Sequence, residues 1–569
     1  MASITRQNIG KYTCLYESVS YWDPVKKRPD NDKVRIGKID LLTGEPVYKQ
    51  EYLDRLAAAG VPTDGMRLWG EPGTAAGGPG VGNEALALSV IDSVRDFGVV
   101  YFLRKLSEKI GVLGILREAL PAVWKEIFCL VCYLIANDKN VMYCEEWAES
   151  NDGLNVDSMC SQRTSDLFLS FGCAERNEFY RRWYALIRER EYIALDISSI
   201  SSYSGQIQSC EYGYNRDGEN LPQVNVCMLL GEGSKLPVYQ TLYSGSLRDV
   251  STLKATLAEF AALTDAADLM VVMDKGFFST ENVGMLLGED DGEQRYRFLI
   301  SVPFTSKFAK SQVESAREDI DTIANVVLTS GAPIRGICKR GDWGDGRDIN
   351  AHVFYNPEKA VKERNEMFGY VASLVKQAAA DPDNVKLAAE YDKYLRVSKS
   401  KLADCGVTVS IREDVIAKEL ETVGWFVLIS NHIDNPQDAH DTYRMKDVVE
   451  KGFHKLKNNL GLDRLRVHSD ERMQNKVFVA FISLIIASAM HETMKRQNLY
   501  KKMTLERLIL TLAKLKSATV NGKTILRPIT KDQRDIFDAF GIAAPGADGK
   551  NPPAPKKRGR KPKSAPAAL

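Results

Sequence analysis

Histidine is scarce in this sequence: His352, His432, His440, His454, His468 and His491 are the six among 569 residues, and they form no metal-ligand spacing. No Gly-x-Ser-x-Gly elbow and no paired Cys and His compete for nucleophilic chemistry. Cysteine is sparse too, with ten residues, which excludes a disulfide-stapled scaffold. Cys129-x-x-Cys132 lies inside the apolar run IFCLVCYLIA with no second pair at zinc spacing, so it reads as buried thiols on a core helix. Long apolar runs are missing as well. The longest, Val477 to Met490, is 14 residues, short of the ~18 to 20 that cross a bilayer. The opening MASITRQNIGKYTC has no secretory core. The expectation is a soluble, intracellular protein with no membrane partner.

A dominant sign of charge is the last absence. Lys and Arg number 76 against 75 Asp and Glu, a net +1, which argues against a protein that coats nucleic acid wholesale. The balance is uneven, however. From Gly546 onward seven basic residues face Asp548 alone, so the tail is +6 and the body −5. Such a tail is a disordered basic arm with sequence-independent DNA affinity, or simply a solvated end. At 44% hydrophobic and 27% charged, the body has ordinary globular composition. Disorder, collagen and fibre classes are excluded, and the length allows roughly three or four domains.

Along the chain, YTCLYESVSYW alternates aromatic and polar residues, turns at DPVKKRPDND and resumes as KVRIGKIDL, the pattern of a β-hairpin with a charged connection. EPGTAAGGPGVGN, Glu71 to Asn83, is Gly-rich, but no strand precedes it and no Lys-Ser or Lys-Thr comes after it. It is a linker, not a phosphate cradle. Helical periodicity then recurs from about residue 84 to 190. Its last helix, Arg176 to Arg190, interleaves Arg176, Arg181, Arg182, Arg188 and Arg190 with Phe179, Tyr180, Trp183 and Tyr184. Such a face can follow a DNA backbone; equally, its aromatics can be core. At Tyr192 strands begin: YIALDISSI, QVNVCMLL and LPVYQTLYSG, then a helix (VSTLKATLAEFAAL), LMVVMD and RYRFLISVP. The core pattern lapses for over a hundred residues and returns at GWFVLISN, ahead of a helix beginning near Asp441. An α/β domain with a large interruption is the expectation.

Two of those apolar strands each carry an Asp, Asp196 in YIALDI and Asp274 ending LMVVMD. Burying a carboxylate is costly unless a cation or donor compensates. A third acid, Glu450, lies on a helix where, at ~100° per residue, Tyr443, Lys446, Glu450 and Lys457 share a stripe about 60° wide, with the apolar face directed away. Three carboxylates with flanking lysines suit a site that holds Mg²⁺ against phosphate, the lysines gripping the non-reacting phosphates. His454, four residues on from Glu450, could touch such a site or face solvent.

Tyr443-x2-Lys446-x3-Glu450-x6-Lys457 resembles the Tyr-x2-Arg-x3-Glu-x6-Lys signature of DDE transposases of the insertion-sequence-four superfamily, the class that includes the bacterial Tn-five enzyme. DISSISSYSGQIQSCEYGYNRDGENLPQVNVCMLL and MDKGFFSTEN resemble the blocks around the first and second catalytic Asp, particularly in the branch named for insertion sequence 1634. The similarity runs from the N-terminal hairpin to about Ile542.

That resemblance implies an α/β fold with an RNase H-like catalytic core interrupted by a large insertion, an N-terminal β-hairpin and a helical DNA-binding region. The implied division is 1–83 hairpin and linker, 84–190 helical DNA-end-binding region, 191–303 first part of the core, 304–422 insertion domain, 423–500 second part of the core with the Glu helix, 501–545 C-terminal helical region and 546–569 disordered basic tail. It implies an endonuclease that cleaves DNA at terminal inverted repeats and transfers the freed ends into target DNA. Asp196, Asp274 and Glu450 would be catalytic and would bind two Mg²⁺, with Mn²⁺ a substitute. Tyr443 and Lys457 would contact phosphates near the element end. Lys446 stands at the family Arg position and lacks Arg's planar fork, and Lys275 stands where many relatives carry Arg. Trp425 resembles the aromatic that stacks a flipped base, or is a core Trp of GWFVLI. Arg181 and Arg182 are candidates for recognising the DNA end. The implied partners are double-stranded DNA, both transposon ends and target, and a second copy of the chain in a synaptic homodimer, in the bacterial cytoplasm at the nucleoid. The alternatives are an RNase H-like metal nuclease without strand transfer and a non-catalytic domesticated DNA-binding protein, the latter disfavoured by three intact acids.

Overall fold

The computed structural model describes residues 3–546 except 10–11, 24–27, 40–44, 64, 69–90, 138–139, 190–191, 265–269, 289–295, 344–346, 400–406, 445, 447–451, 453–461, 463 and 521–522. Glu450, His454, Lys457, Arg190, the linker 71–83 and the tail from 547 onward therefore lie outside the described residues.

The chain forms two units, Met1–Ile91 and Asp92–Leu569. In the first, β1 (Ser3–Ile9), β2 (Tyr12–Asp23), β3 (Arg28–Ile39), β4 (Pro46–Tyr48) and β5 (Arg67–Leu68) form one sheet in that order. β2 and β3 pair antiparallel down to Asp23↔Arg28, a hairpin across the charged connection. Leu15, Ile36 and Tyr52, the last on the helix Gln50–Ala58, make a small core beneath it.

In the second unit the stretch expected to be helical from residue 84 divides. Ile91–Asp96 is a strand, β6, and the helix begins only at Gly98. β6 pairs with β18 (Lys516–Val520), which pairs with β19 (Lys523–Leu526). Asp96 and Lys516 form an ion pair across a separation of 420 residues, a distance at which no local periodicity announces a partner. At Gly98 a Cβ would come 2.2 Å from the Leu512 carbonyl oxygen. Only glycine lets the strand-to-helix junction close on the C-terminal segment.

The largest element is a nine-stranded sheet. Its strands are β7 (Ile193–Ser201), β8 (Gln223–Gly231), β9 (Pro237–Ser244), β10 (Met270–Met273), β11 (Arg297–Val302), β12 (Val326–Val327), β13 (Ile334–Asp342), β14 (Asp348–Tyr355) and, beyond the hairpin β15 (Leu395–Lys399) and β16 (Val407–Ile411), β17 (Trp425–Ser430). The order is β12-β13-β14-β17-β11-β10-β7-β8-β9. β7, β10 and β11 run parallel at the centre, with the helix Asp249–Thr264 making the crossover into β10, while the flanking pairs are antiparallel. The central strands are covered on both faces, and every residue of β8 is buried. That burial is why CMLL, its second half, does not alternate, while the buried Gln223 and Asn225 donate to the Tyr214 and Leu247 carbonyls.

The segment expected to form an insertion, 304–422, has two parts. β12, β13 and β14 extend the main sheet, β14 lying directly against β17. Asn350 and His352 sit among the apolar residues of β14, and they obscured its strand pattern. Only the second part stands apart. The helices Pro357–Ala380, Ala388–Tyr394 and Glu413–Leu420 and the hairpin β15–β16 gather on their own cluster of Val371, Leu374, Ala378, Tyr391, Tyr394, Leu395 and Ile416.

The helix Asp470–Arg496, 27 residues, crosses the core. Ser469 caps it by accepting from the Arg472 N–H, Asp470 and Glu471 occupy its first turn and Lys495 and Arg496 its last, each sign matched to the helix dipole. It is long and apolar enough to cross a membrane by length and composition, with a mean hydropathy of 1.8 over its most apolar window, but 83% of that window is buried inside the fold. A helix apolar on every side is what a central position demands. Lys476 within it donates to the Leu465 carbonyl at 2.7 Å, so its buried ammonium is met. Cys129, Cys132 and Cys144 are also buried, with Cys129 Sγ 4.0 Å from Cys144 Sγ.

Candidate functional site

Asp196 and Asp274 are brought together by strand register. β7 and β10 are parallel neighbours in which Leu195 pairs with Met273, so the next residue of each, Asp196 and Asp274, stands at the same level. One carboxylate ends a buried strand and the other interrupts one, side by side at the centre of the sheet. This placement results from the apolar runs YIAL and LMVVM, which could only be central strands.

Each acid has its own surroundings. Asp196 accepts from the Ile197 backbone N–H at 2.9 Å. Burial pushes its carboxyl up to about 6, against the pull of that hydrogen bond and of the charges on Lys446 and Arg216, and the negative charge of Asp274 adds to the rise. Burial also works to raise Asp274, but there it is outweighed. Lys446 Nζ lies 2.9 Å from Oδ2, the Lys275 N–H donates to Oδ1 at 2.7 Å, and the Tyr443 hydroxyl donates to Oδ1 at 3.0 Å. Together they hold the Asp274 carboxyl below its usual value. Burial first, and then the charge of Asp274, raise the Tyr443 hydroxyl, which stays a proton donor.

Tyr443 ends the helix Pro436–Tyr443, which starts earlier than the sequence suggested, with Asn435 capping through its side chain. Arg444 is the C-cap residue and turns away to donate to Ser330 Oγ at 2.9 Å. It is therefore Lys446 that reaches Asp274. The two described residues on either side of Glu450 in sequence lie on this side of the sheet: Lys446 on Asp274, and Gly452 with its Cβ position 3.8 Å from Met228 Sδ, where Met228 is the cross-strand partner of Asp196. Among the described residues no group of three His, Cys, Asp or Glu could hold a metal ion. Two adjacent half-buried carboxylates, one of them drawn by burial toward its neutral form, are nevertheless the donor chemistry a hard divalent cation takes.

A cavity of about 1820 Å³ opens beside Asp274. Lys275, exposed, and Trp425, at the start of β17, both line it. The Trp425 ring is largely buried, 4.9 Å from the Tyr355 ring and with the Arg317 guanidinium 5.6 Å away over it. Arg181 and Arg182 stand elsewhere, on the helix Cys173–Ile187. Phe179, Tyr180 and Trp183 of that helix point into the core and Tyr184 packs on it. Arg176 donates to Asn475 and Gln474 of the central helix, Arg181 pairs with Glu178, and Arg182 with Glu178 and Glu118.

Sequence reading passed over two residues beside the acids. Arg216 pairs with Asp249 at 2.5 Å, and a Cβ on Gly276, two residues beyond Asp274, would meet the Asp249 carboxylate at 2.8 Å. Arg216 belongs to the loop 202–222, folded back so that its own N–H reaches Ser199 Oγ. Loop closure of this kind has no periodic signature.

Residues 188–486, just over half of the chain, match the family model described as the transposase DDE domain. Among solved structures, a piggyBac transposase synaptic complex with hairpin DNA shares 9% identity at a TM-score of 0.29, over 57% of this chain and 51% of that one. The chain thus spans about half the length of that structure's matched chain. No curated protein matches.

Proposed function

The chain belongs to the DDE transposase family, and from that premise we propose that it cuts DNA at the terminal inverted repeats of an insertion sequence and joins the freed 3′ ends to target DNA. The observation that carries this reading is the register of β7 and β10, which sets Asp196 and Asp274 side by side. In this proposal the sheet is an RNase H-like core, Glu450 completes a triad with the two aspartates, and the chain is of the insertion-sequence-four superfamily, near the 1634 branch, a reading that the signature around Glu450 supports. Two Mg²⁺ ions held by Asp196, Asp274 and Glu450 would supply the charge that stabilises attacking and leaving oxygens of an in-line phosphodiester displacement.

The chain's own residues prepare that site. Lys446 and Tyr443 fix the Asp274 carboxylate in its charged form and in one orientation, through both of its oxygens. Lys275, which lines the cavity, and Lys457 would grip DNA phosphates, and Trp425 would border the strand. The lysine at position 446 acts as a point charge, so this contact is not the two-pronged grip of an arginine. Residues 84–190 would bind the element end, and two copies of the chain would pair the two ends.

The test uses the full chain, Mg²⁺, labelled DNA carrying the borders of the element and a target plasmid, with Asp196→Asn, Asp274→Asn and Glu450→Gln as comparisons. We expect cleavage and joining from the parent and neither from the variants. Full activity in any variant removes that residue from the triad. Cleavage with no joined product would make the chain a nuclease.

A further inference from the structure

The loop 202–222, between β7 and β8, exposes three tyrosines: Tyr203 at 77%, Tyr212 at 66% and Tyr214 at 83%. So much aromatic surface in water is unfavourable unless something covers it. The loop is not loose. Gln208 and Ser209 donate backbone N–H groups to the Asp470 carboxylate at 2.9 and 3.1 Å, Glu211 and Gln223 exchange backbone hydrogen bonds at 3.0 Å, and Gln223 Nε2 donates to the Tyr214 carbonyl at 2.8 Å. Between the outer two tyrosines sits Gly213, pressed so tightly on the Gly245 carbonyl that a Cβ would lie 1.9 Å from its oxygen. Tyr212 and Tyr214 flank that glycine, and both present most of their surface to solvent.

The loop leads back to the acids. Asn215 donates to Ser201 Oγ at 3.0 Å and Arg216 to Ser199 Oγ at 3.1 Å, both on the Asp196 strand, and Arg216 pairs with the Asp249 that abuts Gly276. At the other side, the Arg464 guanidinium lies 5.5 Å over the Tyr203 ring, and Arg466 beyond it is exposed. Aromatic faces interleaved with arginines are how proteins hold unpaired nucleotides.

We propose that the loop 202–222 is a stacking platform for unpaired nucleotides of the DNA strand that runs to the Asp196–Asp274 pair, with Tyr212 and Tyr214 as its stacking faces and Arg216 tying the loop to the Asp196 strand. This rests on the transposase reading of the two acids. It is tested without turnover, in chelator, by fluorescence anisotropy of the full chain with a short blunt duplex and with the same duplex carrying a short single-stranded 3′ tail.

The parent chain is expected to bind the tailed duplex more tightly. Tyr212→Ser with Tyr214→Ser should weaken tailed-duplex binding about tenfold or more and leave blunt binding within about threefold, while the double Trp variant, which keeps stacking surface, should retain the preference. A tail bearing 5-iododeoxyuridine should photo-crosslink within residues 203–216. No preference for the tail, equal loss on both DNAs, or unchanged DNA binding with a weakened dimer in sedimentation would overturn the platform. Intact blunt-duplex binding alongside such a result would leave the DNA reading standing; absence of binding to either DNA would bring down both.

Discussion

Lys446 Nζ sits 2.9 Å from Asp274 Oδ2, on a carboxylate whose other oxygen already accepts from the Tyr443 hydroxyl and the Lys275 N–H. Asp196, its neighbour in register, has no ion pair of this kind among the described residues. The pair is therefore asymmetric, one acid held charged and the other drawn toward its neutral form.

Lys446→Met takes away the cation that keeps Asp274 ionised. We expect single-turnover cleavage to fall about a hundredfold or more, with Lys446→Arg retaining most of it, because charge at this point matters more than its shape. Parent-like cleavage by the Met variant would show that the contact has no part in the reaction.

For Asp196 the sign comes from linkage. Its folded carboxyl titrates near 6 against an ordinary 3.8, so between those values the folded, metal-free chain binds more protons than the unfolded one. Stability from this group is then lost as pH rises from about 4 to 6, by at most about 3 kcal/mol. Asp196→Asn should accordingly raise the Tm of the metal-free chain at pH 7 and make little difference near pH 4. A gap that fails to widen with pH would contradict the burial of that carboxylate.

Arg181 and Arg182 already answer Glu178 and Glu118 on an exposed helix face. Exposed pairs of this kind contribute little to stability, and their charge is largely met within the fold. Arg181→Ala with Arg182→Ala should change affinity for element-end DNA by less than about threefold and leave the Tm within experimental scatter. A steep fall in affinity would make this face the main DNA contact after all.

Gly98→Ala forces a methyl group into the Leu512 carbonyl. Because backbone cannot move aside as a side chain can, we expect a loss of about 1 to 3 kcal/mol in denaturant unfolding.

What could be read from the residues was whatever local pattern encodes. The central strands declare themselves because burial on both faces makes them apolar throughout, and two aspartates in such strands are conspicuous for their cost. Tyr443 and Lys446 were found by spacing, although a C-cap at Arg444 separates them, and both still meet at Asp274. β6 was missed because its partner is far away in sequence, and β14 because Asn350 and His352 are polar: Asn350 Nδ2 and His352 Nε2 lie 2.7 and 3.0 Å from the Ile433 carbonyl. Arg216 and the outward tyrosines depend on how one loop folds back, which a chain read residue by residue does not reveal.

The neighbouring strands β14 and β17 bear on the chain's modularity. Tyr355 and Trp425 are cross-strand partners, and the next residue out, Asn356, donates its N–H to the Gly424 carbonyl at 2.8 Å. Residues 357–423 thus leave and re-enter the fold side by side, at a neck where the Gly424 N–H also donates to Glu363 at 2.7 Å and Arg317 to the Glu421 carbonyl. The sheet would not register their number, since lengthening a closed loop costs only ~0.6 kcal/mol per doubling. They constitute a cassette: replaced by a tight turn they would leave β14 and β17 as an ordinary hairpin, and exchanged for another module they would give the same pair of acids a different wall to work against.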